Sequence, residues 1–209
     1  MDYSVYMQFF VALLAIINPF GLLPVFIGLT SHQDDGERHR TALMAVVASI
    51  CILFVVLLLG EELLSWFSIS VASFQVAGGI LLSFTSLSML QGKLGEVRRT
   101  AEEGREAVAR ESVSLVPLAL PLIAGPAAIT TVIVYAQAHS SVMDLSIFGA
   151  TIVAACFIAW LVFMLAPLLS KGLGTTGINV ITRIMGLIMM ALGVEFMARG
   201  LKVLFPVLG

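Results

Sequence analysis

Apolar residues dominate six stretches: Val5 to Leu29, Thr41 to Gly60, Ile69 to Leu90, Ser112 to Ala138, Leu145 to Leu169 and Val180 to Phe205. Polar residues fall between them. A bilayer-spanning helix needs about 20 mostly apolar residues, so the pattern predicts an all-α integral membrane protein with six transmembrane helices. Thr30 to Arg40 reads as a polar loop, Glu61-Glu62 as the end of the second span, His139 to Asp144 as a short loop and Lys171 to Asn179 as a Gly/Thr-rich turn.

Two of the spans carry a break. Asn18-Pro19 lies in the middle of the first, with 13 residues of the run ahead of Asn18 and 11 behind. Proline removes a backbone donor and crowds the preceding turn. Asn is a good N-cap, and Pro is favoured at the first helical position. The reading is two half-helices meeting near the midplane, which is tolerated only where the backbone is buried in protein or lines a cavity. Pro121 to Pro126 interrupts the fourth span in the same way. An offset of 107 positions carries Pro19 onto Pro126, Asn18 onto Gly125 and Gly79 onto Gly186. The chain therefore reads as one membrane domain built from two repeats, about 1–90 and 112–209, joined by a connector over 91–111. Three spans per repeat would put the copies in opposite orientations. An inverted repeat opened by broken helices, the first and the fourth, is the pattern of secondary transporters.

Composition agrees with a membrane protein. Of 209 residues, 59% are hydrophobic and 11% charged, against about 25% charged in an average soluble domain. The net charge of −2 comes without a basic stripe, so nucleic acid is not an expected partner. Cys51 and Cys156 both fall in apolar spans and read as packed or lipid-facing residues. The opening Met-Asp-Tyr has no positive n-region, so the first span is not read as a cleavable signal. Loops 30–40, 91–111 and 170–179 hold eight Lys or Arg, against Arg199 and Lys202 on the other side. The positive-inside rule then predicts a cytoplasmic connector and both termini outside.

The candidate chemistry is mostly backbone. No His-Glu-x-x-His, P-loop or mid-span ionisable pair occurs, and none of the three histidines has metal-ligand spacing, so an enzyme is not expected. Glu195 and Arg199 are four apart and read as an ordinary helix-surface pair. Half-helix N-termini present unpaired N–H groups and partial positive charge, suited to a carboxylate. The helix ends before the breaks present carbonyls, suited to an ammonium or Na⁺. A small zwitterion meets both. Asn18, Gly21, Gly125, Thr130 and Thr131 are the expected site residues, with Gln75, Gly78 and Gly79 facing them from the third span. Pro19 and Pro126 would shape the site. Pro24, Pro121, Arg183 and Gly186 are assigned structural or gating roles.

At these residues the sequence resembles the MarC family of bacterial inner-membrane proteins. The resemblance is carried by Ile17-Asn18-Pro19-Phe20-Gly21-Leu22-Leu23-Pro24, Phe74-Gln75-Val76-Ala77-Gly78-Gly79, Pro121-Leu122-Ile123-Ala124-Gly125-Pro126-Ala127-Ala128-Ile129 and Arg183-Ile184-Met185-Gly186-Leu187. It implies six spans in the inner membrane, distant kinship with exporters of the lysine-exporter type, and transport of small neutral amino acids as in some members. The expectation is a secondary transporter of glycine- or alanine-type solutes without a cofactor, coupled to Na⁺ or H⁺, with the lipid bilayer and a second copy of the chain as partners. The alternative is a non-transporting scaffold or subunit whose breaks only permit tight packing.

Overall fold

The computed structural model describes residues 3–30, 33–91 and 123–208. Of the connector over 91–111 only Gln91 is among them, and Pro121 lies outside. Helices account for nearly all of the described chain: α1 (Tyr3–Ile17), α2 (Pro19–Leu29), α3 (Asp35–Trp66), α4 (Val71–Leu90), α5 (Pro126–Ala138), α6 (Val142–Met164) and α7 (Ala166–Leu204), with a terminal 3₁₀ turn at Pro206–Leu208. Among the described residues, five segments are long and apolar enough to cross a membrane: Tyr3–Leu29, Asp35–Trp66, Val71–Leu90, Val142–Met164 and Thr176–Leu204. At 1.5 Å per residue α5 reaches about 20 Å, short of the roughly 30 Å hydrocarbon core. The first half of the expected fourth span, up to residue 122, lies outside the described set.

The first break forms where the sequence places it. Asn18 sits in the left-handed region (φ 47°, ψ 62°), which Asn tolerates better than most residues, and its side chain caps α2. The second break differs: Gly125 is extended (φ −67°, ψ 171°) and caps α5 without a side chain, and Pro126 opens the helix.

Several boundaries differ from expectation. α3 starts at Asp35, inside the expected loop, because Asp34 and Glu37 form a capping box: Asp34 Oδ1 accepts the Glu37 N–H at 2.7 Å and Glu37 Oε2 accepts the Asp34 N–H at 3.2 Å. At its other end Glu61 and Glu62 do not stop α3, which continues to Trp66. Both carboxylates are exposed, so helix continuation costs them little. The fifth span ends at Met164, and the chain resumes as helix at Ala166 with Pro167 in its first turn. Much of the expected 171–179 turn is helical, interrupted only at Gly174 (φ 62°, ψ 179°), a conformation reserved for glycine.

Packing is organised by small residues. A Cβ on Gly79 would lie 2.6 Å from the Gly193 carbonyl oxygen, and one on Gly200 would lie 2.8 Å from that of Ala72. Gly186 fits against Met89 and the Ser86 carbonyl. These contacts run α7 antiparallel to α4 with the backbones nearly touching, as small residues allow in membranes. Phe9, Leu13, Phe26, Phe148 and Phe163 are fully buried in the apolar core, and Phe26 stacks on Phe163. At the end where α1 and α6 begin, Tyr6, Phe9, Tyr135 and Phe148 form an aromatic cluster. The Tyr6 hydroxyl donates to the Asp144 carboxylate there.

Candidate functional site

Burial follows the 107-residue offset along most of α4 and α7 and near the start of α3 and α6, but not throughout: Val46 is buried where Val153 is exposed, and Val162 is buried where Val55 is exposed. Ala42 and Gly149, Ala45 and Ile152, and Ser49 and Cys156 are buried at matching places on α3 and α6. So are Leu23 and Thr130, Phe26 and Ile133, Gln75 and Thr182, and Leu82 and Met189. Contacts follow it too. Gly79 against Gly193 becomes, after exchange of the halves, Gly186 against Ser86, and both contacts are made. α2 packs on α6 and α7, as α5 packs on α3 and α4.

The breaks adjoin a cavity of about 200 Å³ lined by Ile16, Leu81, Leu82, Thr85, Met189 and the segment Ile123, Gly125–Ala128. Two of its wall pairs, Ile16 with Ile123 and Leu82 with Met189, are themselves 107 apart. Of the expected site residues, Gly125 and Pro126 line this cavity. Asn18 lies just behind Met189. Its Oδ1 accepts the Gly21 N–H at 3.1 Å, and its Nδ2 faces Met89 Sδ and Met189 Sδ, each at 3.4 Å. Pro19 has no N–H and Gly21's is capped, which leaves Phe20 N–H as the first-turn donor still to be met. Gly21 is glycine because a Cβ there would collide with the Asn18 amide and stand 2.7 Å from Met89 Cε.

The other expected residues lie outside the lining. A Cβ on Gly78 would sit 2.5 Å from Thr130 Oγ1, so that glycine receives the threonine; Gly79 serves the α4–α7 seam. Thr130 and Thr131 donate to the Pro126 and Ala127 carbonyls at 2.8 Å, each one turn back, and are spoken for. Gln75 is buried on α4, Gly186 is buried in the seam, and Pro24 and Arg183 are exposed. Glu195 and Arg199 pair at 2.7 Å on an exposed face of α7.

Sequence reasoning missed Met89, Met189, Leu82, Ile16 and Ile123. The signal was present for four of them: extending the offset from Asn18 by two residues meets Ile16 and Ile123, and from Gly79 by three meets Leu82 and Met189. Met89 has no such mark, since its counterpart is Phe196.

Among the described residues, a helical bundle with an uncharged buried core and five apolar segments of bilayer length marks an integral multi-pass membrane protein. Residues 3–205 match the MarC family integral membrane proteins, and the chain belongs to that family. The UPF0056 membrane protein YhcE of Escherichia coli K12 is 46% identical over 205 residues, spanning 98% of this chain and 95% of the relative. A UPF0056 membrane protein of Buchnera aphidicola from Schizaphis graminum is 43% identical over 207 residues (99% and 96%). YvbG of Bacillus subtilis, also a UPF0056 membrane protein, is 34% identical over 209 residues (100% and 99%). No solved structure matches the chain.

Proposed function

We propose that the protein is a secondary transporter of small neutral amino acids, working by alternating access around the paired helix breaks. In this reading six spans form two inverted three-helix repeats in a bacterial inner membrane, with both termini outside and the 91–111 connector in the cytoplasm. Neither enzyme chemistry nor a cofactor enters it; coupling to Na⁺ or H⁺ supplies the energy, and pairing with a second copy of the chain belongs to the same reading. The observation that carries it is the cavity: it touches the second break, lies beside the first, and its walls include two residue pairs related by the repeat offset. The matching burial along α4 and α7 and the reciprocal Gly79–Gly193 and Gly186–Ser86 contacts support a pseudo-two-fold axis through it. The aromatic cluster around Phe148 would close the outer end in this state.

The test is flux in proteoliposomes of purified protein, with radiolabelled glycine and alanine, with and without Na⁺ and pH gradients. Saturable uptake is expected. Asn18→Gly keeps a residue that accepts positive φ and removes the amide, so uptake should fall at least about tenfold, the scale of one lost buried hydrogen bond to a charged group. Unchanged uptake in folded Asn18→Gly would refute the placement of the site. Absence of uptake for every small amino acid tried, from monodisperse protein, would refute transport of this class and favour a scaffold.

A further inference from the structure

The Asn18 carboxamide is firmly held at one end only. Gly21 N–H fixes which end is oxygen, and Asn18 keeps 4% of its surface exposed. Its two amide donors face thioethers, Met89 Sδ from α4 and Met189 Sδ from α7. Thioether sulfur is a weak acceptor, whereas buried amide donors ordinarily meet oxygen. Met189 also lines the cavity, so its side chain stands between the cavity and the amide. Methionine has three rotatable bonds and can vacate such a position readily.

We propose that Met89 and Met189 are stand-in acceptors for a ligand carboxylate. A carboxylate entering the cavity displaces the Met189 thioether and takes the Asn18 Nδ2–H donors. It gains a charge-assisted hydrogen bond in place of a weak one, and the partial positive charge at the starts of α2 and α5 favours it further. The exchange also has a mechanical result. The two thioether contacts tie the first break to α4 and α7, and the ligand releases the α7 tie. This deepens the transport reading and rests on it for the identity of the solute, but the carboxylate claim stands or falls separately.

The test uses purified full-length protein and titrates acetate, glycine and methylamine at neutral pH, following thermal unfolding and calorimetric binding. Acetate and glycine should bind, and methylamine should not. Met189→Leu removes the competing acceptor and should tighten carboxylate binding about fivefold. Met189→Gln supplies a stronger resident acceptor and should weaken it at least about tenfold. A cavity wall with a purely steric role gives shifts of the same sign in both variants, and that result overturns the proposal. In an Asn18→Gly background the two substitutions should lose their opposite effects; persistence there also overturns it. Binding of acetate with the expected variant pattern, but no glycine flux in the wild type, would keep the carboxylate subsite and remove the amino-acid reading. Binding of no carboxylate by wild type or Met189→Leu overturns the subsite.

Discussion

Asn18 does three things that no other side chain could do together. It accepts a left-handed backbone, caps α2 through Oδ1, and leaves two donors on Nδ2. Leucine at this position loses the cap and sits in a conformation that costs a branched residue about 1 kcal/mol or more. Asn18→Leu should therefore lose about 2 kcal/mol of stability, and Asn18→Gly only a few tenths, because glycine accepts the backbone freely. Thermal unfolding in a fixed detergent would check the order; equal losses would mean the left-handed residue bears no strain. The role of Asn18 as a cap was legible from Asn-Pro in an apolar run. Its weak thioether partners were not, because Met89 lies 71 positions away and Met189 171, and nothing local marks them.

At the scale of elements, hydropathy located the described long helices, and the Asn18-Pro19 and Gly125-Pro126 pairs located the starts of α2 and α5. Hydropathy misplaced ends, because a capping box can extend a helix through charged residues and a single glycine can interrupt one without a loop. The glycines of the third and sixth spans were legible as small and interior, but whether they face a ligand or a helix depends on rotation about the helix axis, which sequence does not supply. The structure turns Gly79 onto the Gly193 backbone. Gly79→Ala should destabilise by about 1–3 kcal/mol, since the obstructing atoms are backbone and cannot swing away. At Gly28, within α2, an added methyl would meet nothing within 4 Å, and Gly28→Ala should stabilise by up to about 1 kcal/mol. Unfolding midpoints of the two variants should move in opposite directions.

For the whole molecule, three matched positions suggested a repeat, and burial follows the same offset along most of α4 and α7 and over the first part of α3 and α6, though not through the rest of α3 and α6 or at Pro19 and Pro126. If the halves exchange conformations during transport, Leu81 and Thr85 line the cavity in one state, and Ile188 and Leu192, their counterparts at 107, line it in the other. Single cysteines at Thr85 and Leu192, in a chain with Cys51→Ser and Cys156→Ala, should react with a water-soluble maleimide from opposite sides of the membrane, and substrate should protect both. Labelling of both from one side would contradict exchange of the halves.

Most interior hydroxyls turn back on their own helices, whereas Thr41 donates to Gln33 Oε1 and the Thr182 hydroxyl meets no partner among the described residues. Thr130 and Thr131 turn back in this way, as do Ser49, Ser83, Ser86 and Thr151. The buried set among the described residues contains no Asp, Glu, Lys, Arg or His. Among the described residues, then, no buried carboxylate or histidine is available as a proton relay, which within the transport reading favours Na⁺ over H⁺ as the coupling ion. Proteoliposomes loaded with a pH dye should hold an imposed gradient as long as protein-free vesicles do when no solute is present.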